Sequence, residues 1–558
     1  MSFKSIINNH PHNLPKSIQA LGNYSYKKFF SDLIAGVTVG LVALPLAMAF
    51  AISSGMQPQA GIYCAIVAGF LISALGGSMT QIGGPTGAFV VVVAGVIEQH
   101  GIDGLFICTL ISGLLLMIMG LTGLGSTVKF IPRPVVIGFT NGIAVLIAST
   151  QIKDFFGLQI QKVPSEFLER IKVIFENFNS YSATATIVSF TALLLMLLMR
   201  KFTPKIPGSI VALLLGTICA WIFNLNIETI ASRFGGIPSG LPQIVIPTFH
   251  SNLVLPLLAP IMTITMLGAI ESLLSAVVAD RMSKDKHNPN VELFAQGVAN
   301  VFSPLVGGLP ATGAIARTAT NIRSGAKTPV AGMMHAITLL IILLVAAPLA
   351  EDIPLPILAS ILMVVAYNMG EWAEIPEILR LSWADISVWL ITFLLTVFAD
   401  LTVAVKAGMI LAALLYIRKV TANTVVMEIN NEIIDLDIPH SYHTNPLPEN
   451  VSAFSIQGPF LFGASDKLLI IENKITTLNK VVIIRLRDMN AIDGTGLNAL
   501  EVLADKLQET GRTLILCSPQ KQPAKLMNKS EFHRHIGQGN IVPSLTEGII
   551  RAKQILNS

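Results

Sequence analysis

Long apolar stretches separated by short polar segments occupy the first three quarters of this 558-residue chain. Eleven of them approach the ~20 residues that a helix needs to cross a bilayer, and three more are shorter or interrupted. The stretches are 33–53, 60–76, 81–97, 104–122, 134–150, 183–200, 208–224, 255–279, 292–305, 311–322, 328–348, 355–370, 383–399 and 401–417. The pattern predicts a polytopic α-helical membrane protein with about fourteen spans, seven in each half.

The pattern changes after residue 419, where the apolar runs shorten to the length of β-strands. These runs are 453–456, 481–485 and 513–517, and helix-like stretches at 496–510 and 543–556 alternate with them. Alternating strands and helices over about 100 residues are typical of a small α/β domain in water.

These changes divide the chain into three parts. Residues 1–31 form a polar N-terminal segment, 32–419 the membrane domain, and 420–558 a linker followed by the α/β domain. Within the membrane domain, we expect a first repeat over about 32–252 and a second over about 253–419.

The short polar turns between the stretches differ in charge. One set carries basic residues, such as Arg200 with Lys201 and Arg281, whereas the turns at 98–103 and 351–352 are acidic and lack Lys and Arg. Because short cytoplasmic loops carry the excess of Lys and Arg, this asymmetry predicts cytoplasmic N- and C-termini. We expect a multi-pass protein of the inner or plasma membrane.

Composition narrows the possible functions. Charged residues make up 13% of the chain, and the formal net charge is only +4, which does not favour nucleic-acid binding. The four cysteines lie far apart, and no His or Cys cluster has metal-ligand spacing, so we predict no metal site and no cofactor. The absence of a paired nucleophile and base, and of a phosphate-binding loop after a soluble strand, argues against an enzyme.

Two motifs with helix-breaking residues echo each other inside the apolar region. Gly83-Gly-Pro-Thr-Gly-Ala88 and Gly307-Gly-Leu-Pro-Ala-Thr-Gly-Ala314 both place a Pro before Thr-Gly-Ala, with an offset of 313 − 87 = 226 residues. Paired broken segments in two halves indicate the binding site of a transporter. A helix that begins in mid-membrane has unpaired N–H groups, whose partial positive charge suits an anion, and glycine permits close approach.

Two ionisable residues fall within the predicted spans near the second motif. Glu271 lies in Gly268–Ser275, and Arg317 follows the motif directly. Each would cost ~2.5–3.5 kcal/mol at the bilayer centre on insertion scales, so an idle charge is disfavoured. We predict that Arg317 contacts an anion and that Glu271 carries H⁺ or Na⁺. The alternative is a buried Glu–Arg pair that only orders two helices.

These residues resemble a known family. The run Phe29–Ser54, the segments Glu271–Asp280 and Gly307–Thr328, and Asp493-Gly-Thr-Gly496 resemble sulfate permease (SulP) anion transporters with a C-terminal STAS domain. The resemblance implies a seven-plus-seven inverted repeat with a core and a gate domain, usually a homodimer, that moves its substrate by elevator-like alternating access. It also implies a lipid-embedded protein whose STAS-like domain could bind a cytoplasmic partner.

The same resemblance implies the site residues. The anion would contact Phe50, Thr86, Gly87, Ala88, Gly313, Ala314, Ile315 and Arg317, and the coupling ion would contact Glu271 and Ser275. Sodium-coupled relatives tend to have Asp at position 271 and Thr at position 315. Because Ile315 offers no side-chain oxygen to Na⁺, and because a carboxyl group shielded from water retains a proton more readily, we favour H⁺.

The predicted function is secondary active transport of a small anion, such as sulfate, bicarbonate or a dicarboxylate. An anion channel or an uncoupled exchanger is an alternative, because it would need the same cationic site. A nucleobase permease of the same fold is a further alternative, although it would not need Arg317.

Overall fold

The protein is described by a computed structural model covering residues 14–22, 24–126, 132–161, 163–203, 207–238, 240–245, 254–399, 401–429 and 447–557. The predicted start of the second repeat at about 253, residues 1–13 of the N-terminal segment and 430–446 of the linker lie outside these residues. The chain divides into two units, 1–409 and 410–558, which are described separately below.

The first unit is helical, with one very short two-stranded ladder. Its elements in chain order are α1 (Lys16–Leu21), α2 (Tyr26–Ser53), α3 (Pro58–Leu75), β1 (Gly83–Gly84), α4 (Gly87–Leu121), α5 (Arg133–Phe156), α6 (Phe167–Glu176), α7 (Ala183–Phe202), α8 (Gly208–Ile222), α9 (Ile230–Phe234), α10 (Val254–Ser283), α11 (Pro289–Phe302), β2 (Thr312–Gly313), α12 (Ile315–Arg323), α13 (Val330–Glu351), α14 (Leu355–Met369), α15 (Ile375–Ile378), α16 (Trp383–Phe398) and α17 (Leu401–Ala422), whose end belongs to the second unit.

A helix occupies each of the fourteen predicted stretches. Two of these stretches share α4, which is interrupted at Gly101, where φ is 71°. Among the described residues, eight helices are long and apolar enough to cross a membrane, and α8 and α16 are shorter apolar helices. The prediction of a helical membrane protein is therefore confirmed, while the span count of fourteen stays a prediction.

Two groups of helices pack mainly within themselves. The first contains α2, α3, α4, α10, α11, α12 and α13, and the second contains α5, α7, α8, α14 and α16. Small residues permit this close packing: Ala35, Val39, Ala43 and Ala47 recur every four residues along one stripe of α2, and all four are fully buried. The first group carries both predicted breaks.

The second unit contains a five-stranded sheet. Its elements after α17 are β3 (Val425–Glu428), β4 (Val451–Gln457), α18 (Leu469–Glu472), β5 (Val481–Arg485), α19 (Gly494–Glu509), β6 (Thr513–Cys517), α20 (Lys521–Lys529), α21 (His533–Ile536), β7 (Ile541–Val542) and α22 (Leu545–Asn557). The strands are ordered β3-β4-β5-β6-β7, antiparallel between β3 and β4 and parallel elsewhere.

Both faces of this sheet are buried. Val482 and Ile484 of β5 join one apolar cluster, while Val481 and Ile483 join another on the opposite face. A parallel sheet covered on both faces has continuous apolar strands, which explains the short runs in the sequence. Burial also raises the pKa of the Cys517 thiol to about 12, so this cysteine belongs to the packing of the sheet. The predicted strands and helices of the α/β domain are confirmed.

Candidate anion site

The two predicted breaks meet at one place in the first unit. The extended segments before α4 and α12 pair as β1 and β2, with Gly83 opposite Gly313 and Gly84 opposite Thr312 in antiparallel register. Because the strands are antiparallel, the chains leave the ladder in opposite directions, and each enters a helix within three residues. Two helix N-termini therefore flank the ladder, as the sequence motifs predict.

Hydrogen bonds between distant segments hold this crossing in place. Asn300 of α11 binds the backbone of Ala311 twice, donating to its carbonyl oxygen and accepting from its amide, both at 2.8 Å. The side-chain amide of Gln81 donates to the Ser272 carbonyl oxygen at 3.1 Å. The backbone amide of Ile82 donates to the Thr318 hydroxyl at 3.0 Å. These bonds satisfy backbone groups that neither a helix nor a long strand could pair, as a buried break requires.

The two helices do not begin at equivalent positions of their motifs. Helix α4 begins at Gly87, and helix α12 begins at Ile315, an offset of 315 − 87 = 228 residues, whereas the motifs align at 226. The amides of Gly313 and Ala314 already donate, to the Ser272 hydroxyl at 3.3 Å and to the Ile82 carbonyl oxygen at 2.8 Å. The unpaired amides of α12 therefore begin at Ile315, while those of α4 begin at Gly87 and Ala88.

Three apolar side chains from different helices close over Gly87. A Cβ atom at this position would lie 2.7 Å from Ile147 Cδ1, 3.2 Å from Phe50 Cε1 and 3.4 Å from Met369 Sδ. The lack of a side chain at Gly87 thus brings α2, α5 and α14 against the start of α4. Phe50, predicted as a substrate contact, lies at this helix start.

Arg317 lies between the two helix starts. Its side chain is 2% exposed, and its Nη2 donates to the carbonyl oxygen of Pro85, two residues before α4. Its Nη1 has no hydrogen-bond partner and would lie 2.7 Å from a Cβ at Gly84, whose φ of 146° also favours glycine. Among the described residues, no carboxylate lies within ion-pair distance of Arg317, so the alternative of a Glu–Arg pair is not formed.

Glu271 and Ser275 lie one turn apart on α10 but contact different helices. The carboxylate of the partly buried Glu271 accepts a hydrogen bond from the Thr86 hydroxyl, with Oγ1 and Oε2 3.2 Å apart. The buried Ser275 hydroxyl instead lies 3.2 Å from the Thr318 hydroxyl of α12. Within the described ranges, no group of three His, Cys, Asp or Glu side chains could hold a metal ion.

Several residues of the site escaped the sequence analysis. Gln81, Ser272, Thr318 and Asn300 position the extended segments, and Ile147 and Met369 cover Gly87. Polar residues within otherwise apolar stretches were the available signal, because each needs a buried partner. Ile147 and Met369 gave no signal, since apolar residues in spans are ordinary.

Comparisons with known proteins agree with this architecture. The protein YvdB of Bacillus subtilis strain 168 is 39% identical over 92% of this chain and 96% of its own length. The bicarbonate transporter BicA of Picosynechococcus is 28% identical over 96% of both chains. The solved transmembrane domain of a cyanobacterial BicA is 31% identical, with a TM-score of 0.61, and the match covers 70% of this chain and 98% of that domain. The structure of SLC26A9, 17% identical, shows the same fold with a TM-score of 0.85 over 100% of this chain and 95% of that one.

Family models give the same assignment. The model of the sulfate permease family matches residues 29–392, and that of the STAS domain matches residues 444–548. The chain belongs to the sulfate permease family of membrane transporters and carries a C-terminal STAS domain.

Proposed function

We propose that this protein is a secondary active transporter of a small anion, with sulfate and bicarbonate as the first candidates and dicarboxylates next. The observation that carries the proposal is Arg317, a buried guanidinium between two helix N-termini that has no carboxylate partner in the described part of the chain. The helix ends add favourable potential for an anion, each worth about 0.3–2 kcal/mol. Such modest attraction suits a carrier, which must also release its substrate.

The names of relatives support these substrates. BicA is a bicarbonate transporter, and a bovine relative, 27% identical over 72% of this chain and 71% of its own length, is a sodium-independent sulfate anion transporter. Both ligands are small oxyanions that fit a site made of amides and one guanidinium.

Exchanged helix contacts support fourteen spans arranged as an inverted repeat. If α4 is counted as two spans, the contact of α2 with α13 corresponds to the contact of α10 with α4. The contact of α5 with α16 corresponds in the same way to the contact of α7 with α14. A pseudo-two-fold axis relating two seven-span repeats would produce such pairs. The two helix groups described above then correspond to a core and a gate domain, whose relative movement would give elevator-like alternating access.

For coupling, we favour H⁺ bound at Glu271 over Na⁺. The Glu271 carboxylate accepts one hydrogen bond from Thr86, which leaves acceptor capacity for a proton at the anion site. Ile315, 38% exposed at the start of α12, presents no side-chain oxygen to Na⁺. A Na⁺ site would have to use Glu271, Ser275 and backbone carbonyls.

The remaining proposals concern orientation and assembly. The basic and acidic turns support cytoplasmic termini and a location in the inner or plasma membrane. We further propose a homodimer, testable by mass measurement in detergent, and a STAS domain that could bind a cytoplasmic protein.

The deciding experiment is uptake into proteoliposomes of purified protein. Labelled sulfate, bicarbonate, succinate and fumarate are each tested with an imposed proton gradient, with an imposed Na⁺ gradient, and with neither. We expect accumulation of one anion class above its equilibrium level under the proton gradient. Accumulation only with Na⁺ would assign Na⁺ coupling, flux that only ever runs downhill would indicate a channel or uncoupled exchanger, and no flux of any of these anions would contradict the proposal.

A further inference from the structure

A cavity of about 390 Å³ lies between the level of the anion site and the polar turn at Glu98. The cavity is lined in part by α2, α4 and α5, the same helices that meet around Gly87. On α4 the lining residues include Val90 and Ala94, and on α5 they include Thr150 and Lys153. Since three residues of helix advance about 4.5 Å, the cavity begins one turn beyond the level of Gly87.

A thin layer separates this cavity from the anion site. Phe50 and Ile147, which cover Gly87, lie one turn before Ser53 and Thr150, and both of these polar residues line the cavity. Gln151 donates to the Ser53 hydroxyl at 3.0 Å and so joins α5 to α2 across the two helix groups. The layer of Phe50 and Ile147 therefore lies where the two helix groups meet. The proposed mechanism would move these two helix groups apart.

Among the described residues, the charged groups that line the cavity include one cation that forms no ion pair. Arg233 pairs with Asp154 at 2.8 Å, and Arg170 is almost fully buried, with its Nη1 donating to Ser149 at 2.8 Å. Glu98 accepts a hydrogen bond from Ser165. The ammonium group of Lys153, by contrast, forms no ion pair and no hydrogen bond with any residue that the structure describes, although it has three donors.

We propose that this cavity is an access vestibule for the transported anion and that Lys153 binds the anion there before it reaches the inner site. The inference rests on the proposed function and adds a second, weaker binding position, on the side that the proposed topology makes extracellular. The Phe50 and Ile147 layer closes the passage between the two positions. Lys153 acts by attraction across water, so its contribution depends on the charge of the anion and on ionic strength.

The first test compares uptake by Lys153→Gln and by the wild-type protein, with sulfate as a dianion and bicarbonate as a monoanion. For an anion about 5 Å from the ammonium group in a water-like medium, loss of the charge raises KM about fourfold for a monoanion and about fifteenfold for a dianion. We expect kcat to change little and the salt dependence of KM to flatten. Lys153→Arg keeps the charge and should restore KM.

Lys172→Gln is the matched control, because Lys172 is exposed on the neighbouring helix α6 and does not line the cavity. Its KM should stay within twofold of wild type. An unchanged KM and salt dependence in Lys153→Gln, with wild-type uptake intact, would overturn the vestibule while leaving the proposed function standing. Absence of uptake of either anion by the wild-type protein would contradict the proposed function and the vestibule with it.

A second readout does not depend on transport. Ala94→Cys, made with Cys219→Ser to remove the exposed native thiol, places a cysteine in the cavity wall. In the purified protein we expect an anionic thiol reagent to label this cysteine faster than a neutral one, and sulfate to slow the anionic reagent. Adding Lys153→Gln should remove both effects. Equal labelling rates that sulfate does not change would overturn the inference.

Discussion

The starts of α4 and α12 descend from similar motifs but perform different tasks in the site. The start of α4 is apolar and covered by Phe50, Ile147 and Met369. The start of α12 is open, with Ile315 38% exposed, and supplies the guanidinium of Arg317. Both breaks provide helix amides, yet of these two helix starts only that of α12 adds a full positive charge, as the proposed anion site requires.

The start of α4 also contacts side chains from the second half of the membrane domain. Arg317 of α12 donates to the Pro85 carbonyl oxygen just before α4, and the Thr86 hydroxyl at the start of α4 donates to Glu271 of α10. Both of these bonds therefore join the start of α4 to side chains of the second half of the membrane domain.

The largest effect is expected for Arg317→Gln, which removes the charge but keeps a hydrogen-bonding side chain. Loss of a buried charged hydrogen bond to an anion costs about 3 kcal/mol or more, so uptake should fall at least about a hundredfold. The matched control is Arg323→Gln, because Arg323 is exposed at the other end of the same helix. Both variants should reach the membrane in equal amounts, which is measured by fluorescence-detected gel filtration.

Uptake by Arg317→Gln at the wild-type rate would assign Arg317 a structural role. The comparison would then reverse, because the neutral amides at the two helix starts would be sufficient for the anion. Loss of protein from the membrane, instead of loss of uptake, would also remove the argument for direct contact.

The next largest effect is expected for Gly87→Val. A Cβ at this position already lies 2.7 Å from Ile147 Cδ1, so a branched side chain must displace the covering layer or block the amides. We expect a fall in the uptake rate of about ten- to a hundredfold, because strain of about 1–3 kcal/mol accompanies overpacking. Ile147→Ala in the same protein should recover part of the rate.

Ile315→Val is the control at the other helix start. Unlike Gly87, Ile315 already has a branched side chain, and this side chain is partly exposed. The change to Val should therefore alter the uptake rate less than twofold. Equal damage from Gly87→Val and Ile315→Val would mean that the two starts are packed alike during transport.

The sequence predicted the helices and both breaks because hydrophobic length and helix-breaking residues act locally. It also drew attention to Arg317 and Glu271 as candidate site residues, since an ionisable residue in an apolar span is conspicuous, and their roles stay predictions. It did not predict that α12 begins two residues later than the motif suggests. That shift depends on hydrogen bonds from Ser272 and Ile82 to the amides of Gly313 and Ala314, and contacts between residues far apart in the chain leave no local pattern.

A smaller but more specific effect is expected for Glu271→Gln. The amide keeps the size of the side chain and cannot take up a proton, so proton-driven accumulation should cease while exchange of labelled for unlabelled anion continues. The measurement is accumulation and exchange in the same proteoliposomes. Ser275→Ala should leave proton-driven accumulation intact, because the Ser275 hydroxyl contacts the Thr318 hydroxyl, whereas the Glu271 carboxylate contacts Thr86.

Accumulation that survives in Glu271→Gln would exclude this carboxylate as the proton carrier. Loss of accumulation in Ser275→Ala together with dependence on Na⁺ would instead favour the Na⁺ site.

The smallest effects are expected at the two threonines that the motifs align, Thr86 and Thr312, and they separate the two helix starts most directly. The Thr86 hydroxyl holds the Glu271 carboxylate, whereas the buried Thr312 hydroxyl contacts the Ser272 hydroxyl at 2.7 Å and the Gly268 carbonyl oxygen at 3.3 Å. One hydrogen bond is worth about 1 kcal/mol, so Thr86→Val should lower uptake about fivefold at an unchanged melting temperature. Thr312→Val should lower the melting temperature of the purified protein and leave the KM of the folded fraction unchanged. The reverse pattern would mean that the second start, and not the first, senses the coupling carboxylate.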